Sequence, residues 1–281
     1  MPTLPRASNA LTIRSFDRNL DHRAFTCDLG PLTFIDAYGL VGTACSLWLA
    51  LAESPDLEIE IPSHGNTNTH LTAMGFRDFL SELGRSSLLP KAPAVDASDV
   101  VVPLRRAADS GGEQALSHLL WGQLRDHVAP QILEAIAEGV WEIVANALEH
   151  SGSEAAIMAQ VYRADRGGRP PDHDNRVQVV IGDVGRGIRA SFLDTGMREP
   201  KDDLEAINLA LEYLVTSVPD DPGRGQGLTT TMEQVTGLGG QIIIRSGTGK
   251  ITVESSGKAT EEKVPSLQGA IVALNLPLYP G

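Results

Sequence analysis

Four polar side chains recur at every fourth position of one stretch, and their types and spacing could do chemistry. They are Glu138, Glu142, Asn146 and His150. Residues four apart lie above one another on one face of an α-helix, so two carboxylates, an amide and an imidazole would stand side by side. Asparagine is a poor residue inside a helix, and the amide of Asn146 is therefore expected to have a partner. For Glu138 alone, a solvated helix face is the simpler interpretation.

The apolar residues around this row predict the helix that positions it. They recur at three- and four-residue steps, the period of an amphipathic helix, which is expected to end at Ser151 and Gly152. The residues of this apolar face are Ile132, Leu133, Ile136, Val140, Ile143, Val144, Ala147 and Leu148.

Two glycine-containing stretches follow this helix. Residues 182–188 are Gly-Asp-Val-Gly-Arg-Gly-Ile, directly after a predicted strand. Glycines let the backbone approach a flat ligand, and the Asp183 carboxylate would accept a hydrogen bond from an amino group such as that of adenine. Residues 221–228 are Asp-Pro-Gly-Arg-Gly-Gln-Gly-Leu and precede a predicted helix at 229–235. The N–H groups and the positive dipole end of a helix N-terminus favour phosphate.

Two common phosphate-binding motifs are excluded. Residues 223–228 have Leu228 at the third glycine position of the dinucleotide fingerprint, and no strand leads directly into them. Residues 246–251 fail as a Walker loop, because Ile251 occupies the Ser/Thr position and Ile244 replaces the first glycine.

The order of these motifs resembles the nucleotide-binding fold shared by gyrase, histidine kinases and anti-sigma factor kinases, the GHKL or Bergerat type. An asparagine-bearing helix is followed by Asp-x-Gly-x-Gly-Ile, an intervening stretch and Gly-x-Gly-x-Gly-Leu. The resemblance covers residues 100–277, where 240–244 and 269–277 are similar to the family's closing strands. It implies an α/β, or α+β, two-layer ATP-binding domain with a mixed sheet.

The resemblance also implies roles. Asn146 would bind Mg2+ through its side-chain oxygen, Glu142 would be the catalytic base, and Asp183 would hold the adenine amine. His150 would touch a phosphate, or else cap the helix C-terminus as a cation. The implied nucleotide contacts are Asn146, His150, Asp183, Gly185, Gly187, Ile188, Thr216, Gly223, Arg224, Gly225, Gln226, Gly227 and Leu228.

Residues 197–222 take the place of the family's ATP lid, which closes on nucleotide. Residues 204–215 inside it have helical spacing and could equally form an ordinary packed helix. Many histidine kinases have Gly-Thr in a late strand where this chain has Gly269-Ala270. One hydroxyl contact near the base is therefore expected to be missing.

The first ninety residues predict a small α/β sandwich. Strands are expected at 10–16, 23–34 and 57–61. Helices are expected at 67–74 and 76–83, and residues 35–40 are expected to turn into a helix that continues to about 52. The segment resembles STAS domains of sulphate transporters and anti-sigma factor antagonists, through Phe34-Ile35-Asp36, Gly39, residues 61–63 and residues 71–76. Tyr38 stands where antagonists carry a phosphorylated Ser or Thr. The predicted organisation is a STAS-like domain at 1–90, a linker at 91–99 and the ATPase domain at 100–281.

Composition limits the partners. The formal net charge of −13 opposes docking on nucleic acid or an anionic membrane. Cys27 and Cys45 show no metal-ligand spacing, and the longest largely apolar run, residues 39–52, is too short to span a bilayer. A cytoplasmic protein with reduced, buried thiols is expected.

The leading hypothesis is a bacterial-type regulator that binds Mg-ATP and acts as an ATPase or as a Ser/Thr protein kinase of the anti-sigma factor kinase type. Its partner would be a regulatory protein related to STAS domains or sigma factors. Two alternatives stay open, a non-catalytic nucleotide-gated interaction module and an ATP-gated homodimer. A sensor histidine kinase is disfavoured, because residues 113–127 with His118 and His127 form only one helix.

Overall fold

A five-stranded antiparallel sheet with helices packed on both faces forms the centre of the molecule. The computed structural model describes residues 3–85, 88–89, 100–107, 112–151, 153–163, 175–196, 198–212 and 227–279. The architecture is α+β, which confirms the predicted fold class. None of the described helices is long and apolar enough to cross a membrane.

The described elements, in chain order, number the strands and helices separately. The strands are β1 (Leu4–Pro5), β2 (Ala10–Leu11), β3 (Leu20–Asp21), β4 (Thr26–Asp28), β5 (Phe34–Ile35), β6 (Glu58–Glu60), β7 (Val100–Ala107), β8 (Ala155–Tyr162), β9 (Arg176–Asp183), β10 (Gln241–Glu254) and β11 (Ala259–Pro277). The helices are α1 (Ala37–Glu53), α2 (Gly65–Ala73), α3 (Phe76–Glu82), α4 (Gly112–Leu124), α5 (Pro130–Asn146), α6 (Ile188–Thr195), α7 (Asp203–Leu211) and α8 (Gly227–Gly237). A 3₁₀ turn spans Asp17–Asn19 and a π-helical turn spans Ala147–Ser151.

The central sheet has the strand order β10-β11-β9-β8-β7. Each neighbouring pair is antiparallel, so the expectation of a mixed sheet is wrong. After β9 the chain passes through α6, α7 and α8 and re-enters the sheet as β10, with one strand position between β9 and β10. Strand β11 folds back from β10 and occupies that position. Strands β9 and β10 are therefore not neighbours and do not form a parallel pair.

One face of this sheet is covered by α4, α5, α7 and α8. Alternate strand residues such as Ile157, Val179 and Leu274 point into this layer and are buried. Helix α5 starts at Pro130, whose fixed φ suits a first helical position, and buries the predicted apolar face. The periodicity argument for this helix is confirmed.

The N-terminal residues cover the opposite face of the same sheet. Helix α1 lies against β8 and β9, and one continuous apolar cluster joins its Leu40 and Val41 to Met158 and Val180 of the sheet. The predicted strands at 10–16 and 23–34 are largely wrong, because only β2, β4 and β5 form there. Within residues 3–85 the strands pair as two-stranded ladders, where packing against the large sheet replaces further strand pairing.

A buried ion cluster fastens this N-terminal layer to the sheet. Asp17 accepts a hydrogen bond from Arg245 Nε at 2.6 Å and another from Lys250 Nζ at 2.7 Å. Tyr38 donates its hydroxyl to Asp17 Oδ2 at 3.3 Å and is fully buried. Burial and the Asp17 charge raise the pKa of Tyr38 well above its usual value. The Tyr38 hydroxyl is therefore out of reach of a kinase in the folded protein.

Candidate functional site

The predicted catalytic base and metal ligand lie one helical turn apart at the C-terminal end of α5. Asn146 donates from Nδ2 to Glu142 Oε1 at 3.1 Å, which supplies the partner that a mid-helix asparagine needs. Both side chains are half-buried. This hydrogen bond engages the amide nitrogen of Asn146. The amide oxygen, which is the atom that a hard cation would bind, points away from Glu142 Oε1. The pair thus offers a positioned carboxylate and a positioned amide oxygen.

The start of α8 closes on the same carboxylate. A Cβ placed on Gly227 would overlap the carboxyl group of Glu142, so no residue with a side chain fits at 227 unless Glu142 moves. One turn earlier on α5, a Cβ on Gly139 would press on Thr231 of α8 at 2.8 Å. Because α5 and α8 approach so closely at these glycines, the second glycine stretch ends directly against Glu142. Leu228, the next residue that is predicted to contact the nucleotide, is half-buried and packs against the apolar core between the helices and the sheet.

The first glycine stretch forms a tight loop at the end of β9. Asp183 is 6% exposed and accepts a hydrogen bond from the Gly185 N–H at 2.8 Å. Gly187 has φ of 81°, a left-handed conformation that glycine adopts without strain, and it precedes α6, which begins at Ile188. Asp183 therefore shapes the loop in this structure, in addition to any contact with a ligand.

Two residues hold this loop in place in a way that the sequence does not predict. Ser246 of β10 accepts a hydrogen bond from the Ile188 N–H at 3.0 Å and donates to the Gly269 carbonyl at 3.0 Å. Gly269 has φ of 84°, and a Cβ on it would overlap the Asp183 carbonyl oxygen. No local pattern marks Ser246, since its position follows from the β10–β11 register, which places it opposite Ala270. A hydroxyl group is thus present beside Gly269-Ala270, on the neighbouring strand.

The π-helical turn joins the two halves of the site. It continues α5 beyond Asn146 and contacts both the end of β9 and α6. Just after it, Ser153 Oγ accepts a hydrogen bond from the Val184 N–H at 3.2 Å. π-Helical turns are rare and frequently occur at functional sites. The end of α5 is therefore flanked by the 182–188 loop on one side and by Gly227 on the other.

Several predicted site residues lie outside the described residues. The backbone of His150 belongs to the π-helical turn, but its side chain is not among those described. The whole of the predicted linker at 91–99 and much of the predicted lid at 197–222 also lie outside the described residues. The other predicted contacts outside the described residues are Thr216, Gly223, Arg224, Gly225 and Gln226.

The described part of the lid stretch is a packed helix. Helix α7 is capped by Asp202, and Ile207 is completely buried against the sheet. Asp203 accepts hydrogen bonds from the backbone N–H and the hydroxyl of Thr248 on β10, each at 2.7 Å. Of the two interpretations of residues 204–215, the structure supports an ordinary packed helix for the turns that form α7.

The donor set favours a cation that is shared with a ligand over one enclosed by protein. Within the described ranges, no group of three or more His, Cys, Asp or Glu side chains could hold a metal ion. Mg2+ commonly keeps one or two protein oxygens and takes the rest from phosphates and water. The amide oxygen of Asn146 beside the Glu142 carboxylate fits that kind of site.

Comparison with known proteins identifies no family. No protein-family model matches the chain, and none of the curated proteins matches it. Among solved structures, it is similar to the histidine kinase domain of the blue-light activated histidine kinase from Erythrobacter litoralis EL346. The two share 13% sequence identity over 86% of each chain, with a TM-score of 0.27. A similarity this distant carries no residue-by-residue argument, so the site rests on its own geometry.

Proposed function

We propose that this chain binds Mg-ATP between the end of α5 and the two glycine stretches, and acts as an ATPase or a Ser/Thr protein kinase. The observation that carries the proposal is the contact of Glu142 with both Asn146 and Gly227. Residues from two motifs about eighty positions apart meet at one carboxylate. A side chain at 227 would displace the Glu142 carboxylate from its present position, and a packing role alone would not require a carboxylate there.

Each residue of the site has a task in this proposal. Asn146 holds Mg2+ through its amide oxygen. The loop at 182–188 places its backbone and the Asp183 carboxylate beside the adenine ring of ATP. Glu142 accepts the proton of the attacking hydroxyl, with its orientation fixed by the Asn146 amide. ATP supplies the phosphoryl group that is transferred to water or to a Ser or Thr of a protein partner.

The regulatory setting belongs to the same proposal. A cytoplasmic partner related to STAS domains or sigma factors is the acceptor in this proposal. The buried Tyr38 hydroxyl supports a partner surface that does not depend on phosphorylation at this position. A second candidate, a nucleotide-gated binder without turnover, is favoured by one feature, because the Glu142 carboxylate is already engaged by Asn146.

Calorimetric titration of ATP with Mg2+ tests the binding site. We expect binding to the wild-type protein, loss of binding in Asn146→Ala, and unchanged binding in Asn68→Ala. Asn68 is a suitable control because it is also half-buried in a helix, α2, and donates its amide to the Pro62 carbonyl. Absence of binding to the wild-type protein, or equal binding to all three proteins, contradicts the proposal.

Turnover separates the two candidate functions. Glu142→Gln keeps the size and the acceptor oxygen of the side chain but removes the base. We expect ADP formation to fall by about 10²–10⁴-fold with Mg-ATP affinity retained. ADP formation that is unchanged in Glu142→Gln removes Glu142 as the base. Tight binding without ADP, with or without a partner protein, identifies the nucleotide-gated binder.

A further inference from the structure

A second concave site lies on the face of the sheet opposite α5. It is a cleft of about 550 Å³, formed where residues 13–18 of the N-terminal layer meet the β10–β11 hairpin. Its floor is the outer face of the sheet, at Gln178 and Asn275. Sites for small molecules usually have volumes of 300–1,000 Å³, so a metabolite-sized ligand fits this cleft. The proposed nucleotide site does not use any of its residues.

The lining of the cleft is cationic, although the chain as a whole is acidic. Five basic side chains and two carboxylates line it, in a protein with a formal net charge of −13. The carboxylate of Asp17 is already neutralised by Arg245 and Lys250. The other, Glu262, is 4.0 Å from Lys250 and 45% exposed. Local positive charge in an acidic protein concentrates small anions at that point.

Two of these cations have no carboxylate partner among the residues that the structure describes. Arg18 is exposed and Arg176 is half-buried, and neither forms an ion pair with any residue in the described part of the chain. Lys263 is 75% exposed, and its nearest carboxylate, Asp202, is 3.9 Å away. Guanidinium groups bind carboxylate and phosphate through paired hydrogen bonds, which a lysine cannot do alone.

The floor offers fixed amides for the uncharged part of a ligand. Gln178 is buried and uses its Oε1 to accept from the Tyr38 N–H and the Tyr162 hydroxyl, at 3.2 and 3.3 Å. Its Nε2 is then the arm that can donate to a ligand. Asn275 donates to Gln241 at 3.0 Å, which holds both amides in the floor. Positioned amides beneath a cationic rim give orientation as well as charge attraction.

We propose that this cleft binds a small multivalent anion, of the phosphorylated or polycarboxylate class, with Arg18 and Arg176 as its principal charged contacts. The ligand would touch the N-terminal layer through Arg18 and the central sheet through Arg176 at the start of β9, so its binding stabilises the contact between the two halves of the chain. Inorganic pyrophosphate and citrate are suitable probes, since they represent the two anion types at similar charge.

The test is a calorimetric and thermal-unfolding titration of the full chain with pyrophosphate and, separately, with citrate, each against sodium chloride at equal ionic strength. We expect at least one probe to bind and raise the unfolding temperature. The double variant Arg18→Gln/Arg176→Gln should weaken that binding about tenfold or more. Arg23→Gln, which removes an exposed cation outside the cleft, should leave it unchanged.

The outcomes are distinct. Binding of pyrophosphate alone identifies a phosphate site, and binding of citrate alone identifies a carboxylate site. No binding of either probe, or equal binding in the double variant and Arg23→Gln, overturns the proposal. Loss of pyrophosphate binding in Asn146→Ala, with retention in the double variant, assigns the probe to the glycine stretches and also overturns it. Failure of Mg-ATP to bind leaves this result unaffected, since the sites share no residue.

Discussion

At the scale of single residues, Gly227 lies directly against the Glu142 carboxylate of the candidate site. A methyl group there would overlap the Glu142 carboxylate, so Gly227→Ala must push that side chain away from Asn146. Because the carboxyl group is the far end of a flexible, half-buried side chain that can move, we expect the free energy of unfolding to change by less than about 1 kcal/mol, together with loss of Mg-ATP binding. Urea unfolding and calorimetry measure the two effects separately.

Gly237 provides the control on the same helix. It is the last residue of α8, and a Cβ there meets nothing within 4 Å. Gly237→Ala should therefore leave nucleotide binding unchanged and alter stability by only a few tenths of a kcal/mol or raise it slightly. Normal Mg-ATP affinity in Gly227→Ala would show that the Glu142 carboxylate need not occupy its present position.

The buried thiols set a pH dependence. Burial raises the pKa of Cys27 from 9.0 to about 12, and the nearby Asp28 charge adds to this. Below pH 9 the thiol is protonated in both folded and unfolded chains. Above pH 9 the unfolded chain loses the proton while the folded chain keeps it, so stability falls as pH rises from 9 to 12. The expected slope is about 1.4 kcal/mol per pH unit for this thiol.

The difference between the wild-type protein and Cys27→Ala isolates this effect from the other groups that titrate at alkaline pH. The free energies of unfolding of the two proteins, measured in urea at pH 7, 8, 9 and 10, should change in parallel up to about pH 8.5. Above that pH the free energy of unfolding should decline less steeply for the variant than for the wild-type protein. Identical slopes in the two proteins up to pH 10 would show that Cys27 is not protected from ionisation in the folded state.

At the scale of elements, the sequence predicts what local periodicity determines. The apolar face of α5 and the pairing of Glu142 with Asn146 both follow from four-residue spacing and are found in the structure. The π-helical turn after Asn146 was not predicted, because its residues continue the same apolar period. The role of Ser246 could not be predicted either, since it depends on strand register across a long hairpin.

The docking of α1 against the sheet also cannot be predicted from local periodicity. Its helical span at 37–53 follows the prediction closely, but its docking partner is invisible in the sequence. The Ala37 and Tyr38 N–H groups at its N-terminus bond to the Tyr162 hydroxyl and to Gln178 Oε1. These are side chains more than a hundred residues away. The helix thus completes its first turn with acceptors from the sheet.

Tyr162→Phe tests this attachment. It removes the acceptor at 3.1 Å from the Ala37 N–H and leaves that buried group without its bond. We expect a loss of about 1–3 kcal/mol in the free energy of unfolding, with Mg-ATP affinity unchanged because the nucleotide site is on the opposite face. Tyr279→Phe, at a position that is 64% exposed, should stay within about 0.5 kcal/mol of the wild-type protein. Equal stability of the two variants would contradict the attachment.

At the scale of the whole molecule, Asp17 holds the two halves together. It balances two cations of β10, and its side chain and that of Arg245 are almost completely buried. Asp17→Asn leaves the buried Arg245 without a counter-charge, while Lys250 keeps only the partly exposed Glu262 at 4.0 Å, and should cost about 3–5 kcal/mol in the free energy of unfolding. Asp21→Asn removes the half-buried partner of Arg6, which is itself 59% exposed, and should change stability little. Urea unfolding of both variants makes the comparison.

The division into residues 1–90 and 100–281 gives the last prediction. The outer face of the sheet buries Met158, Val180 and Ile271 against the N-terminal layer, and Arg245 finds its counter-ion there. A fragment of 100–281 would expose this apolar face and an uncompensated cation. We expect it to aggregate or to lack a cooperative unfolding transition, and to regain one when it is coexpressed with residues 1–99. Copurification and circular dichroism measure this. A soluble fragment that unfolds cooperatively and binds Mg-ATP alone would instead establish two independent domains.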